Sequence, residues 1–230
     1  MRLFTALGIA GLLVAGDALA VPLPSCGKAA VTVVDDFSGD TLDMNRWSLS
    51  DSAGFFSLSG GHLRFDGTSN AAARLYSRAP FPPGLFILDF EDYQSTNHSQ
   101  GGQYAGSYGA LGLGFRDNYV RVMRGDVRNS PYFEANHVQE GKYSVWYVVN
   151  PARRGRLAIY YDGVSAMMFA NDEPENDEAW RQIGPALAPG WSAEPSLMIL
   201  GYPGATGVTR FVIRRVSAMA CRPPIPPDSP

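Results

Sequence analysis

Apolar and polar residues alternate along most of the chain from Val31 onwards, as expected of strands with one buried and one exposed face. Short turn sequences separate many of the alternating stretches, and Asp162-Gly163 predicts a hairpin. A helical signal is confined to Pro174–Ile183, where an early proline and first-turn acidic residues predict one or two helical turns. The predicted strands are Val31–Phe37, Phe55–Ser59, His62–Asp66, Ala73–Ser77, Leu85–Asp92, Ala110–Arg116, Tyr119–Arg124, Tyr132–His137, Tyr143–Val149, Leu157–Tyr161, Val164–Phe169, Leu197–Tyr202 and Thr209–Val216. Many short strands with few helical signals predict a single antiparallel two-sheet β-sandwich.

The first residues have the pattern of a secretory signal peptide. Arg2 precedes an apolar run that ends before Asp17, and Ala18-Leu19-Ala20 is a small-x-small cleavage site. The run is shorter than the roughly 20 apolar residues that span a bilayer, and no later stretch is long enough. We therefore expect residues 1–20 to be removed, residues 21–222 to form one domain and residues 223–230 to be a disordered proline-rich tail. Lipidation of Cys26 is an alternative that the distance from the apolar run disfavours.

Composition narrows the class of protein. The 230 residues include 45% hydrophobic residues and a net charge of −3, which exclude an intrinsically disordered chain. This slightly acidic balance lacks the basic excess typical of nucleic-acid-binding proteins, so we expect no nucleic-acid partner. After signal-peptide removal two cysteines remain, Cys26 and Cys221, one near each end of the domain. In an exported protein this pair predicts a disulfide that ties the two ends together.

Two longer stretches resemble a known fold family. Asp35 to Trp47, with its Asp-Asp-Phe opening and Leu42-Asp43, is similar to the start of many concanavalin A-like lectin/glucanase domains, the LamG-like jelly rolls. Tyr143–Asn150 and Leu157–Gly163 resemble the paired strands of the same domains. The resemblance implies an all-β, concanavalin A-like jelly roll and an extracellular polysaccharide as partner. It does not separate binding modules from enzymes, since the fold hosts both.

Residues that would serve an enzyme of this fold are only partly present. The strand motif of glucanases, with alternating carboxylates, does not occur; the nearest pair is Asp89 and Glu91, which alternation places on one strand face. A lyase acting on uronic-acid polymers needs a cation for the sugar carboxylate and a side chain that moves protons. His137, Arg121 and Tyr119 are the catalytic candidates for that chemistry. Whether the protein is an enzyme stays open, with a lyase favoured over a hydrolase.

Strand alternation also predicts a ligand groove on the concave sheet that the resemblance implies. If Val120 and Val122 face the core, Tyr119 and Arg121 face outward, and the same parity in Ala110–Arg116 turns Arg116 outward, with small glycines leaving room for a ligand. A slip of one residue would reverse every assignment. An alternative role for both arginines is pairing with Asp89 and Glu91 across strands.

A long polar and glycine-rich segment, Gln94–Gly109, separates two predicted strands, and such loops often carry function. Its amides, imidazole and tyrosines are candidates for contacts with sugar hydroxyls and sugar rings. The full set of predicted ligand-binding residues is Asp89, Glu91, Asn97, His98, Gln103, Tyr104, Tyr108, Arg116, Tyr119 and Arg121.

No cofactor is expected with certainty, but a structural calcium is considered at two places. Asp172 lies in a dense acidic run, and calcium prefers oxygen ligands of this kind, although the run lacks an EF-hand spacing. Asp36 is the second candidate, because domains that the sequence resembles often hold calcium near that edge. The sequence thus favours an extracellular polysaccharide-binding domain, with a polysaccharide lyase or glycoside hydrolase as alternative and a structural envelope or matrix protein as second alternative.

Overall fold

The computed structural model describes residues 20–27, 29–68, 70–96, 106–115, 117–127, 130–204 and 207–221. Within these residues the chain forms strands, turns and bends, with no helix. The strands are β1 (Thr32–Asp35), β2 (Trp47–Ser50), β3 (Phe56–Ser59), β4 (His62–Gly67), β5 (Ala73–Ser77), β6 (Gly84–Ser95), β7 (Ser107–Phe115), β8 (Asn118–Val127), β9 (Ser130–Gln139), β10 (Lys142–Val149), β11 (Gly155–Tyr161), β12 (Ala166–Asn171), β13 (Arg181–Gln182), β14 (Ser196–Tyr202) and β15 (Thr209–Ala220). Because the described residues form no helix, no helix long and apolar enough to cross a membrane is found among them.

The strands form two antiparallel sheets. The first sheet has the order β13–β12–β11–β6–β15–β4–β3, with β1 pairing the C-terminal part of β15. The second sheet has the order β10–β9–β8–β7–β14–β5–β2. Some neighbours are consecutive strands, whereas others, such as β6 with β15 and β7 with β14, come from distant parts of the sequence, as in a jelly roll. The predicted all-β, two-sheet sandwich is confirmed.

The inner faces of the two sheets pack into one hydrophobic core. Phe86, Leu88 and Phe90 on β6 meet Val120 and Val122 on β8, all of them predicted as core residues. Burial of these rings and branched side chains, each worth about 1.5–3 kcal/mol, holds the sheets together. Since the inner parity of both strands is as predicted, the opposite parity defines the outer faces.

The two ends of the domain meet as expected. β1 pairs β15, with Thr32 opposite Ala218, and Cys26 forms a disulfide with Cys221 across a sequence separation of 195. Both cysteines are buried in a smaller cluster on the outer side of the first sheet, beside Phe169 and Trp180. The predicted disulfide is therefore present, and it fastens the chain ends to the first sheet alone.

The predicted helical turn at Pro174–Ile183 is wrong. Side-chain amide oxygens of Asn171 and Asn176 accept hydrogen bonds from the backbone N–H groups of Glu173 (2.7 Å) and Glu178 (3.0 Å). Such local bonds compete with helix formation, so the segment turns and ends in β13. Pattern reasoning also missed β2 and β13, which are too short to show alternation.

Candidate functional site

The outer face of the second sheet carries a cluster of arginines and tyrosines. Cross-strand pairing places Asn136, Arg121, Gly112, Met198 and Tyr76 in one row across five strands. The next row contains Glu134, Met123, Ala110, Leu200 and Arg74. We call this surface the arginine–tyrosine face; it consists of Arg74, Tyr76, Tyr108, Tyr119, Arg121, Tyr132, Glu134 and Asn136.

Arg121 lies at the centre of the arginine–tyrosine face and is only 8% exposed. Its Nε donates to Oδ1 of Asn136 at 2.8 Å, and one terminal nitrogen donates to the hydroxyl of Tyr108 at 2.8 Å. Its guanidinium carbon lies 4.6 Å from the ring centre of Tyr108 and 5.8 Å from that of Tyr119. The charge is thus enclosed by aromatic rings, an arrangement that stabilises a cation by about 0.5–2 kcal/mol per ring.

Glu134 is the acidic neighbour of Arg121 on the next strand. Its Oε1 accepts a 2.8 Å hydrogen bond from Nδ2 of Asn136, so the amide of Asn136 bridges the carboxylate and the guanidinium. Burial raises the pKa of Glu134, and the hydrogen bond from Asn136 and the charge of Arg121 only partly oppose this rise. The face therefore contains a carboxyl group whose ionised form is disfavoured.

Arg74 is the second cation of the arginine–tyrosine face. It is half-buried on β5, and its electrostatic neighbours include Tyr76, Tyr108 and Tyr119. The Nε atom of Arg74 is buried and has no hydrogen-bond partner. Tyr108 and Tyr119 are also electrostatic neighbours of Arg121, so the two arginines share these tyrosines.

Tyrosine rings surround the two cations. Tyr108 lies 5.6 Å from Tyr202 between ring centres, and Tyr132 lies 6.4 Å from Tyr147. Burial raises the pKa of Tyr119 and of Tyr132 above the ordinary phenol value. Both phenols are therefore protonated at neutral pH and act as hydrogen-bond donors. They are poorly suited to be the base that a lyase needs.

Space above β7 is smaller than its glycines suggested. A Cβ atom on Gly112 would lie 3.1 Å from a Leu200 methyl and 3.2 Å from the Met198 methyl. Gly114 has a φ of +141° and lies against the backbone of Asn118 and Tyr119. These glycines serve close packing and backbone geometry, so the expectation that they make room for a ligand is wrong.

His137 does not join Arg121 and Tyr119. It pairs Val120, a core residue, and therefore points to the inner side of the second sheet, where its Nε2 lies 3.0 Å from Oδ1 of Asn118. Burial lowers the pKa of His137. The three lyase candidates are thus divided between two faces, because His137 and Asn136 differ by one position in a strand of period two.

Asp89 and Glu91 share a strand face as predicted, but it is the outer face of the first sheet. Asp89 accepts from Arg215 at 2.6 and 2.9 Å, and Glu91 lies 3.3 Å from Arg214. The alternative role suggested for Arg121, pairing with these carboxylates, is therefore wrong, since the two sheets of the sandwich separate them. Their placement with Tyr119 and Arg121 in one ligand groove is wrong for the same reason.

Five predicted contact residues lie outside the described residues: Asn97, His98, Gln103, Tyr104 and Arg116. Of the others, Tyr108, Tyr119 and Arg121 meet on the arginine–tyrosine face. Sequence reasoning missed Arg74, Glu134 and Asn136 as members of this face. Alternation in Ala73–Ser77 places Arg74 on the outer side of β5, but the strand order that brings β5 near β8 has no local sequence signal.

The two calcium candidates have protein partners. Asp172 lies 3.6 Å from Arg181 and accepts a 2.7 Å hydrogen bond from Asn150. Asp36 accepts bonds from the backbone and hydroxyl of Ser38, which lower its pKa. Across the described ranges no group of three His, Cys, Asp or Glu side chains has a metal-binding arrangement. Calcium at either residue stays a prediction.

Comparison with known proteins identifies the fold. No family model and no curated protein matches the sequence. Among solved structures, the β-glucanase of Bacillus licheniformis matches 85% of this chain and 99% of its own at 10% identity and a TM-score of 0.57. A legume lectin-like domain from Entamoeba histolytica matches 84% and 99% at 11% identity and a TM-score of 0.58. A xyloglucan-locus GH43B protein of Bacteroides ovatus matches 82% of this chain and 39% of its own, at 13% identity and a TM-score of 0.62. The protein therefore has a jelly-roll β-sandwich fold similar to that of these concanavalin A-like structures.

Proposed function

We propose that this protein is an exported polysaccharide-binding protein and that the glycan lies along the arginine–tyrosine face. The observation that carries the proposal is the concentration of tyrosine rings, an amide and two guanidinium groups on one face of the second sheet. Flat aromatic rings suit the apolar faces of sugars, and amide and guanidinium groups donate directed hydrogen bonds to sugar oxygens. Tyr76, Tyr108 and Tyr202 are half-buried and keep accessible ring surface.

The fold supports a carbohydrate ligand without defining it. Solved proteins of similar fold carry the names β-glucanase, transglycosylase and legume lectin-like domain. The predicted signal peptide and the Cys26–Cys221 disulfide support export. Mass spectrometry of protein recovered outside the cells tests export, with an N-terminus at Val21 as the expected result.

Binding is favoured over bond cleavage by the chemistry of the face. A glycosidase of the usual kind needs two carboxyl groups about 5–10 Å apart, whereas Glu134 is the one carboxyl group that the described residues place on this face. A lyase would need a base, but His137 lies on the other side of the sheet and the phenols of Tyr119 and Tyr132 hold their protons. These groups recognise a glycan more readily than they cleave it.

The test is a panel of neutral and charged polysaccharides incubated with the purified full-length protein. Affinity electrophoresis measures binding, and ultraviolet absorbance detects unsaturated lyase products. We expect binding to at least one polymer without product formation, and weaker binding by Tyr76→Ala. Tyr160→Ala is the matched control, because Tyr160 is half-buried on the outer side of the first sheet. A folded protein that binds no polymer, or equal losses in both variants, would overturn the proposal.

A further inference from the structure

Two buried arginines on the same strand are satisfied in different ways. Arg124 points inward and donates to the backbone oxygens of Ala152, Gly125 and Tyr132, partners that belong to the fold itself. Arg121 points outward, and its two hydrogen bonds go to uncharged side chains, those of Asn136 and Tyr108. The backbone carbonyls make Arg124 a structural residue, whereas Arg121 lies among side chains on a face that the core does not cover.

The arginine–tyrosine face has more cationic than anionic groups. None of the described carboxylates forms an ion pair with Arg121 or Arg74. Glu134, the nearest acidic group, is bonded to Asn136, and its burial favours the protonated form. Burying a guanidinium without a carboxylate costs free energy that an anionic ligand would recover.

Arg74 strengthens this conclusion independently. Its Nε is buried and has no hydrogen-bond partner among the described residues, although the same side chain also forms a hydrogen bond with Tyr76. An unsatisfied buried donor destabilises the folded protein, and proteins seldom retain one without a reason. A carboxylate presents two coplanar oxygens, which match the planar fork of a guanidinium better than a neutral hydroxyl does.

We infer that the polysaccharide bound by this face is acidic, and that carboxylates of its uronate units pair with Arg121 and Arg74. This inference rests on the proposed function. The tyrosines contact the sugar rings on either side, and the two arginines select the charged units of the chain.

The experiment compares each polyuronate with its own carboxyl-reduced form, which keeps the linkages and replaces the carboxylate by a hydroxymethyl group. Polygalacturonate, alginate, hyaluronan and glucuronan are tested with the full-length protein, and dextran sulfate provides a sulfate-bearing polymer. We expect at least one polyuronate to bind about tenfold or more tightly than its reduced form, as loss of a charge-assisted pair predicts. Arg74→Gln should decrease this ratio, and Arg210→Gln, an exposed first-sheet arginine, should leave it unchanged.

The possible outcomes test the acidic-ligand inference separately from the proposed polysaccharide binding. Equal affinity for the acidic and reduced forms overturns the inference and leaves polysaccharide binding intact. Binding of dextran sulfate without any polyuronate overturns the uronate assignment, because the anion would then be a sulfate. Failure to bind every polymer overturns the proposed function and the inference with it. If Arg74→Gln and Arg210→Gln lower the ratio of acidic to reduced affinity equally, the preference comes from the net charge of the protein. That result would overturn the assignment of the carboxylates to this face.

Discussion

On the outer face of the first sheet, arginines and carboxylates occupy neighbouring strands and pair with each other. Asp89 with Arg215 and Glu91 with Arg214 are half-exposed examples. On the arginine–tyrosine face of the second sheet, Arg121 is more deeply buried, and its hydrogen-bond partners among the described residues are the neutral side chains of Asn136 and Tyr108. Charges paired at a surface neutralise each other and add little to the stability of the folded protein. The difference is the reason for proposing that an anionic ligand pairs with Arg121 and not with the arginines of the first sheet.

Removal of the disulfide should have the largest effect on stability and no effect on glycan binding. The double variant Cys26→Ser/Cys221→Ser should lose about 2–5 kcal/mol of unfolding free energy, because a long loop regains its freedom in the unfolded chain. Glycan affinity measured below the unfolding transition should be unchanged, since the disulfide lies on the outer side of the first sheet. Urea unfolding and affinity electrophoresis give the two numbers. Loss of binding by the folded variant would contradict the division between the two faces.

Arg121→Gln, unlike the disulfide variant, should weaken glycan binding. We expect about tenfold weaker binding or more, together with a loss of about 1–3 kcal/mol in unfolding free energy because Tyr108 and Asn136 lose a charged partner. Tyr108→Phe removes one of the two hydrogen bonds and keeps the ring, so its effects should be smaller. Calorimetric titration and urea unfolding measure both. Unchanged affinity of a folded Arg121→Gln protein would remove Arg121 from the site.

Glu134→Gln tests whether the buried carboxyl group of Glu134 makes the stability of the protein depend on pH. The pKa of Glu134 is raised in the folded protein, chiefly by burial, so its contribution to stability is complete in acid and is lost as the pH rises from the ordinary carboxyl pKa through the raised one. The variant keeps an oxygen acceptor for Asn136 and lacks this loss. Its melting temperature should therefore gain on the wild type as the pH rises above the ordinary carboxyl pKa of 4.5.

Glu178→Gln, which removes one exposed carboxylate from the loop before β13, controls for net charge. A melting-temperature difference between wild type and Glu134→Gln that is constant over this pH range would contradict the assignment.

Arg215→Gln should have the smallest effect. The Arg215 side chain is 52% exposed where it pairs with Asp89. We expect a change of about 0–1 kcal/mol in unfolding free energy, as is usual for surface ion pairs, and unchanged glycan affinity. Urea unfolding beside Arg121→Gln gives the contrast directly. A larger loss than that of Arg121→Gln would reverse the comparison between the two faces.

Alternation predicted most of the strands and the side of each strand on which a residue lies. Val120 and Arg121 were assigned to opposite sides of β8 correctly, because a period of two follows from backbone geometry. The same rule separates His137 from Arg121, yet the lyase hypothesis grouped them by chemistry and disregarded parity. Partners across strands were harder, as the wrong pairing of Arg121 with Asp89 shows.

By itself the sequence determined the local features of this protein: most of the strands, the turns between them, the two cysteines at the domain ends and the outward side of Arg121. Those features depend on neighbouring residues, and local physical chemistry is sufficient to derive them. The tertiary structure alone decided that Arg74 and Arg121 lie on one sheet face with shared tyrosine neighbours, and that Asp89 pairs with Arg215. Both depend on which distant segments become neighbouring strands, and β5, β14, β7 and β8 are adjacent only because the whole sandwich must bury its inner faces at once.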